Sequence, residues 1–91
     1  MAVGEQEVNF GSGTWEATAT VTGQASILVT SKVEGFVMAK PSSDHNADEH
    51  RVEDIAVVCG NIVAGTGFTI YARARGKRPL SGRWLVQWVW V

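Results

Sequence analysis

Apolar and polar residues alternate in twos along most of this chain. Between residues 14 and 22, Trp15, Ala17, Ala19 and Val21 take one side and Glu16, Thr18, Thr20 and Thr22 the other, the signature of a half-buried strand. The same period returns in Phe68, Ile70, Ala72 and Ala74 against Thr69, Tyr71, Arg73 and Arg75. It returns again in Trp84, Val86, Trp88 and Trp90 against Leu85, Gln87, Val89 and Val91. Further strands are expected over residues 5–10, 27–31, 33–39 and 52–59, the middle two being either separate strands or one bent strand with a bulge near Gly35. Gly11-Ser12-Gly13, Thr22-Gly23-Gln24, Gly60-Asn61, Gly65, Gly67 and the segment 76–82 punctuate them. Residues 40–50 form the one long polar connection, where Asp44 is expected to cap a single helical turn that ends near Arg51. Six to eight strands with at most one short helical turn predict an all-β fold, an antiparallel β-sandwich or jelly-roll-like barrel.

The last strand stands apart. Trp84, Trp88 and Trp90 share one face, and exposed together they would form a patch of roughly 450 to 750 Å², at or above what most soluble monomers tolerate. Two readings stand: the strand is the centre of a sandwich, or one of its faces is covered by another subunit. Length sharpens the question. Ninety-one residues make one domain, 1–91, and at this size stability is thin without disulfides, a metal or partner subunits. The single cysteine, Cys59, excludes an internal disulfide.

Net charge is only −1, yet it is divided. All nine carboxylates lie in residues 1–54 with three cations, a balance of −6, while residues 55–91 carry five cations and no acid. Arg73, Arg75, Lys77 and Arg78 form the basic cluster. Only Tyr71 offers a base-stacking aromatic beside them, so nucleic acid is not the expected partner. A solvated hairpin loop, or docking on an acidic patch of a neighbouring copy that contains Asp44, Asp48 and Glu49, fits that cluster better. Residues 1–7 lack the cationic and apolar segments of a secretory signal, and no apolar run approaches the length of a membrane span. The expectation is synthesis as a soluble chain in a cytoplasm, without membrane contact.

Candidate chemistry is sparse. His45 and His50 are five apart and Glu49 precedes the second, so the zinc-protease spacing fails. Asp44, Asn46 and Asp48 match the first three ligands of a calcium loop, but Glu49 stands where its glycine belongs and Ile55 where its bidentate glutamate belongs. Cys59 ends an apolar strand and reads as a small buried hydrophobe. No catalytic residue, metal site or cofactor is assigned.

Asp44-His45, Ala47-Asp48-Glu49-His50, the run from Gly60 through Gly65-Thr66-Gly67-Phe68 to Tyr71, and Trp88-Val89-Trp90 resemble small virion-associated structural proteins of tailed bacteriophages. The likeness covers residues 44–71 and the last few, and it implies a virion component made in the host cytoplasm. It carries over no catalytic residues. Together with the tryptophan strip and the divided charge, it leads us to expect a capsid decoration (cement) protein. Such a protein would bind the major capsid protein or other virion proteins as a homo-oligomer, with a trimer favoured. The expected subunit or shell contacts are Trp84, Trp88, Trp90, Arg73, Arg75, Lys77, Arg78, Asp44, Asp48 and Glu49. The alternative is a tail-fibre or neck component that recognises a receptor or glycan through Trp15 or Tyr71.

Overall fold

The computed structural model describes residues 1–91 as two three-stranded antiparallel sheets and one short helix. The elements are β1 (Ala2–Asn9), β2 (Glu16–Val21), β3 (Val33–Phe36), α1 (Ala47–Val52), β4 (Ile55–Val63), β5 (Gly67–Ala74) and β6 (Arg83–Trp90). The first sheet has the order β1-β6-β3 and the second β2-β5-β4, so the two strands with the clearest alternation, β5 and β6, are the central ones. No helix is long and apolar enough to cross a membrane.

The core lies between the sheets. Val8, Trp84, Val86, Trp88 and Trp90 come from the first sheet and meet Val21, Phe68, Ile70, Ala72 and Ala74 from the second, with Phe10, Ile27 and Leu80 closing the ends. The tryptophan strip is therefore covered by the chain itself, and the expected role of Trp84, Trp88 and Trp90 as a contact surface is corrected. Their burial follows from the central place of β6, whose inward face has a whole sheet opposite it. The accessible surface, 5335 Å², is close to the roughly 5200 Å² of a compact monomer of this mass.

The indoles differ in their polar ends. Trp84 donates to the Ser81 carbonyl at 3.0 Å and Trp90 to Gln24 Oε1 at 2.9 Å, whereas the buried Trp88 Nε1 has no acceptor. An unmet buried donor costs about 1–3 kcal/mol, so Trp88→Phe removes a penalty that Trp84→Phe and Trp90→Phe do not. In urea unfolding, Trp88→Phe is expected to be the mildest of the three by about 1 kcal/mol or more.

Several expected elements change. Residues 27–31 form turns, closed by Ile27 N–H on Gln24 O and Ser31 N–H on Leu28 O. Only Ile27 of that apolar run is buried, plugging the sandwich end, while Leu28 and Val29 stay exposed. The strand expected over 33–39 ends at Phe36 and has no bulge at Gly35. Glycine is needed there for close approach, because a Cβ would sit 2.7 Å from both Cys59 Sγ and Val57 Cγ1. The irregularity falls in β4, between Gly60 and Val63, where Asn61 takes φ 50°.

Candidate functional site

The polar connection from 40 to 54 completes the first sheet where β3 is too short to do so. Val91 and Lys32 exchange N–H···O bonds, so Val91, Val89 and Gln87 direct their main-chain groups toward β3. Leu85 and Arg83 continue that row beyond the end of β3. There the Leu85 N–H donates to His50 Nε2 at 2.9 Å, and Ser42 Oγ donates to the Arg83 carbonyl at 2.6 Å. Because Nε2 accepts, the ring proton lies on Nδ1 and is donated to the Asn46 carbonyl at 2.9 Å. His50 is buried and stands in for a strand.

The helix that presents it is capped by Asn46, not Asp44. Asn46 Oδ1 accepts from the Glu49 N–H, and Glu49 Oε1 accepts from the Asn46 N–H, a reciprocal capping box. Asp44 turns to β6 instead, accepting from the Arg83 N–H at 2.7 Å and Arg83 Nε at 3.0 Å. His45 lies flat on Trp84, with centroids 3.7 Å apart, its Nδ1 2.9 Å from Glu49 Oε2 and its Nε2 2.6 Å from the Ser81 carbonyl. Glu7 accepts from the N–H and hydroxyl of Ser43. Every ring nitrogen of the two histidines is thus committed to a protein partner. The cluster acts as a clasp that ties the connection and the 76–82 loop to β6.

These bonds hold three carboxyls below their ordinary values. Ser43 lowers Glu7, Arg83 lowers Asp44 through its side chain and then its N–H, and His45 followed by the Asn46 N–H lowers Glu49. A depressed native pKa stabilises above the unfolded value, and that contribution is lost as pH falls through the native one. Urea midpoints are therefore expected to hold from pH 7 to about pH 5 and to fall below about pH 4.5. Asp44→Asn should lower the neutral plateau and flatten that acid limb.

The charge division largely cancels inside the fold. Glu16–Arg73, Glu53–Arg78 and Asp44–Arg83 join the two halves of the sequence. The basic cluster is consequently split: Arg73 and Arg78 are paired, while Arg75 and Lys77 make no ion pair. Asp48 is exposed and 3.6 Å from Arg51, whereas Asp44 and Glu49 are engaged within the clasp. The expected acidic patch is thus reduced to Asp48. Cys59 points between the sheets, and burial, with a smaller contribution from Glu34, pushes its thiol up to about 11. At neutral pH it is protonated and a poor nucleophile.

What remains open are faces and edges. On the outer face of the second sheet, Thr18, Tyr71 and Val58 form one row and Glu16, Arg73 and Ala56 the next, around a shallow depression of about 330 Å³. On the first sheet, Val3, Val89 and Glu34 lie beside Glu5, Gln87 and Phe36. Val3, Phe36, Val58 and Tyr71 are all exposed on these faces. The alternation of β2 and β5 predicts the outward residues, but strand order decides which of them become neighbours. Comparison with protein-family models, with curated proteins and with solved structures finds no match.

Proposed function

We propose that this chain is a phage virion structural protein, a capsid decoration (cement) protein that binds the assembled head shell as a small homo-oligomer. The observation that carries this reading is the distribution of apolar surface. Twelve large apolar side chains are exposed, nearly as many as the thirteen apolar residues of the core, and Tyr71 and Val58 among them are cross-strand neighbours on one face, surface that binding to another protein would bury. They lie mostly on flat sheet faces, edges and turns, the shapes that suit another protein surface better than a small molecule. Of the charged groups that looked available in the sequence, Asp44 and Glu49 are engaged in the clasp and Arg73 and Arg78 in ion pairs. Apolar burial is left as the main source of affinity, with Arg75, Lys77 and the exposed Asp48 still able to contribute. A subunit that binds only the assembled shell stabilises it by mass action.

The test is the number of copies in purified particles, together with the heat stability of particles made without the gene. Copies in the hundreds and genome release at a lower temperature are expected. About six to twelve copies would place the protein in a neck or tail ring instead, and absence from particles would overturn the virion reading.

One observation favours a second reading, a tail-fibre or neck component that recognises a receptor or glycan. Tyr71 is exposed beside Thr18 and the Glu16–Arg73 pair over the depression described above, an aromatic surface flanked by polar groups. Loss of host adsorption on Tyr71→Ala, with particle stability intact, would support it.

A further inference from the structure

The four edge strands are not equally protected, and the difference is legible in the direction of their main-chain groups. β5 lies between β2 and β4; its Ala74 N–H donates to the Trp15 carbonyl, and its Arg75 N–H donates to the Asp54 carbonyl. Even-numbered positions of β5 therefore bond to β2 and odd-numbered positions to β4, since antiparallel bonding alternates along a strand. With Arg73 opposite Ala56, Tyr71 opposite Val58 and Thr69 opposite Gly60, the β4 residues that bond β5 are Ala56, Val58 and Gly60. Ile55, Val57 and Cys59 are left with their N–H and C=O groups directed off the sheet.

Nothing in the chain takes up those groups. β3 belongs to the other sheet and makes no ladder with β4, although Gly35 approaches the Val57 and Cys59 side chains closely. The inward-facing Ile55, Val57 and Cys59, with Val33 from β3, remain only half-buried. The sandwich thus has an apolar seam along this side. β4 has nine residues and contains neither charge nor proline, two of the devices by which edge strands avoid pairing.

The other edges are guarded. The same alternation leaves Val3, Glu5, Glu7 and Asn9 free on β1, where antiparallel self-pairing would set Glu5 against Glu7. β2 offers Glu16, Thr18 and Thr20, and pairing there would cover the Glu16–Arg73 ion pair and bury little apolar area. β3 offers only Val33 and Gly35.

We propose that β4 is the contact between two copies of this chain, paired antiparallel about a two-fold axis at Val57. The occupant is a second copy because this uncharged apolar strand matches itself: paired antiparallel about 57, its three outward-directed residues 55, 57 and 59 all find hydrogen-bonding partners and apolar residues face apolar ones. Ile55 meets Cys59 of the second copy and Val57 meets Val57, forming about six main-chain bonds. Asp54 falls opposite Gly60, so no like charges meet, and the irregularity beyond Gly60 ends the run. The outcome is a continuous six-stranded sheet that covers the exposed edge of Val58 and closes the seam. A two-fold contact makes a dimer in place of the trimer favoured on the sequence. The two Cys59 residues lie roughly 13 Å apart in this register, so the dimer is not disulfide-linked.

The contact rests on the proposed assembly role only in needing a second copy. Sedimentation equilibrium of the full chain from 5 to about 300 µM spans the range for so small an interface. The mass is expected to rise from 9.8 kDa toward twice that value, with or without reductant. Val57→Pro removes only a donor that points off the edge, so it should keep the far-ultraviolet spectrum and remain monomeric throughout. Val58→Lys, at a position 66% exposed, should weaken association at least tenfold. Thr18→Pro, the equivalent change on the β2 edge, should still dimerise.

A wild-type mass of one chain at the highest concentration overturns the contact, as does unchanged association in folded Val57→Pro or Val58→Lys. A dimer linked through Cys59 overturns the register. A monomeric chain still recovered in particles overturns the contact and leaves the virion role standing, whereas a dimer absent from particles does the reverse.

Discussion

Gly67→Ala is expected to cost about 3 kcal/mol or more and to lower the urea midpoint sharply, while Gly60→Ala is nearly silent. Gly67 opens β5 opposite Val63 and is buried against the end of β2. A Cβ built on it lies 1.8 Å from the Val21 carbonyl oxygen and 2.8 Å from the carbonyl carbon. Both are main-chain atoms, so no side chain can rotate away. Room can be made only by moving β2 off β5 at the Val21–Phe68 pair, where both residues belong to the core. For ninety-one residues the total stability is of the order of 5–14 kcal/mol, so this one methyl consumes a large fraction of it. Gly60 has nothing within 4 Å of its Cβ position and its φ is not in the left-handed region. Urea midpoints of the two variants, measured side by side, separate close approach from a general intolerance of alanine in these strands. Equal midpoints would contradict the packing described for Gly67.

His50→Leu should cost about 2–4 kcal/mol although leucine is apolar and similar in size. The substitution leaves the Leu85 N–H without an acceptor in a buried part of β6 and removes a bond to the Asn46 carbonyl. The loss is local in origin, because β3 stops at Phe36 and supplies no alternative partner. Amide exchange at Leu85 is the most direct readout. It should accelerate beyond what the fall in global stability explains, while exchange at Val89, bonded to β3, should follow the global change. His50→Gln keeps one donor and one acceptor and is expected to recover part of the loss. If Leu85 stays as protected in His50→Leu as in the wild type, the imidazole is not the acceptor that holds this end of the sheet.

Much of the architecture is legible in the alternation of β5 and β6 because a central strand must bury one face along its whole length. Phe68, Ile70, Ala72 and Ala74 are all inward, as are Trp84, Val86, Trp88 and Trp90. Residues 27–31 mislead because the apolar run Ile27, Leu28, Val29 has no period of two; it contributes one plug to the core and two exposed side chains. The capping box was present in the sequence as Asn46 followed three positions later by Glu49, a stronger signal than the aspartate at 44. The acceptor role of His50 has no comparable signature. It depends on how far β3 runs beside β6, a property of tertiary pairing that neither segment encodes alone. The same holds for the free edge of β4, since which residues face outward depends on the strand chosen as neighbour.

The register of the first sheet also governs how the chain reaches its fold. Ala2 pairs with Trp90 and Asn9 with Arg83, so the β1–β6 ladder brings together the two extremes of the sequence. No helix or local hairpin substitutes for it, and β3 too finds its only sheet partner in β6. During synthesis, β1 and β3 emerge early and must wait, unpaired, for β6 to leave the ribosome. Closing so long a loop precedes the reward of the contacts it creates, which places folding among the slower, millisecond-to-second processes of all-β domains. For that interval the apolar face meant for the tryptophans is bare. The chain's greatest exposure to aggregation therefore falls before β6 pairs, while β1 and β3 present open edges and an uncovered apolar face.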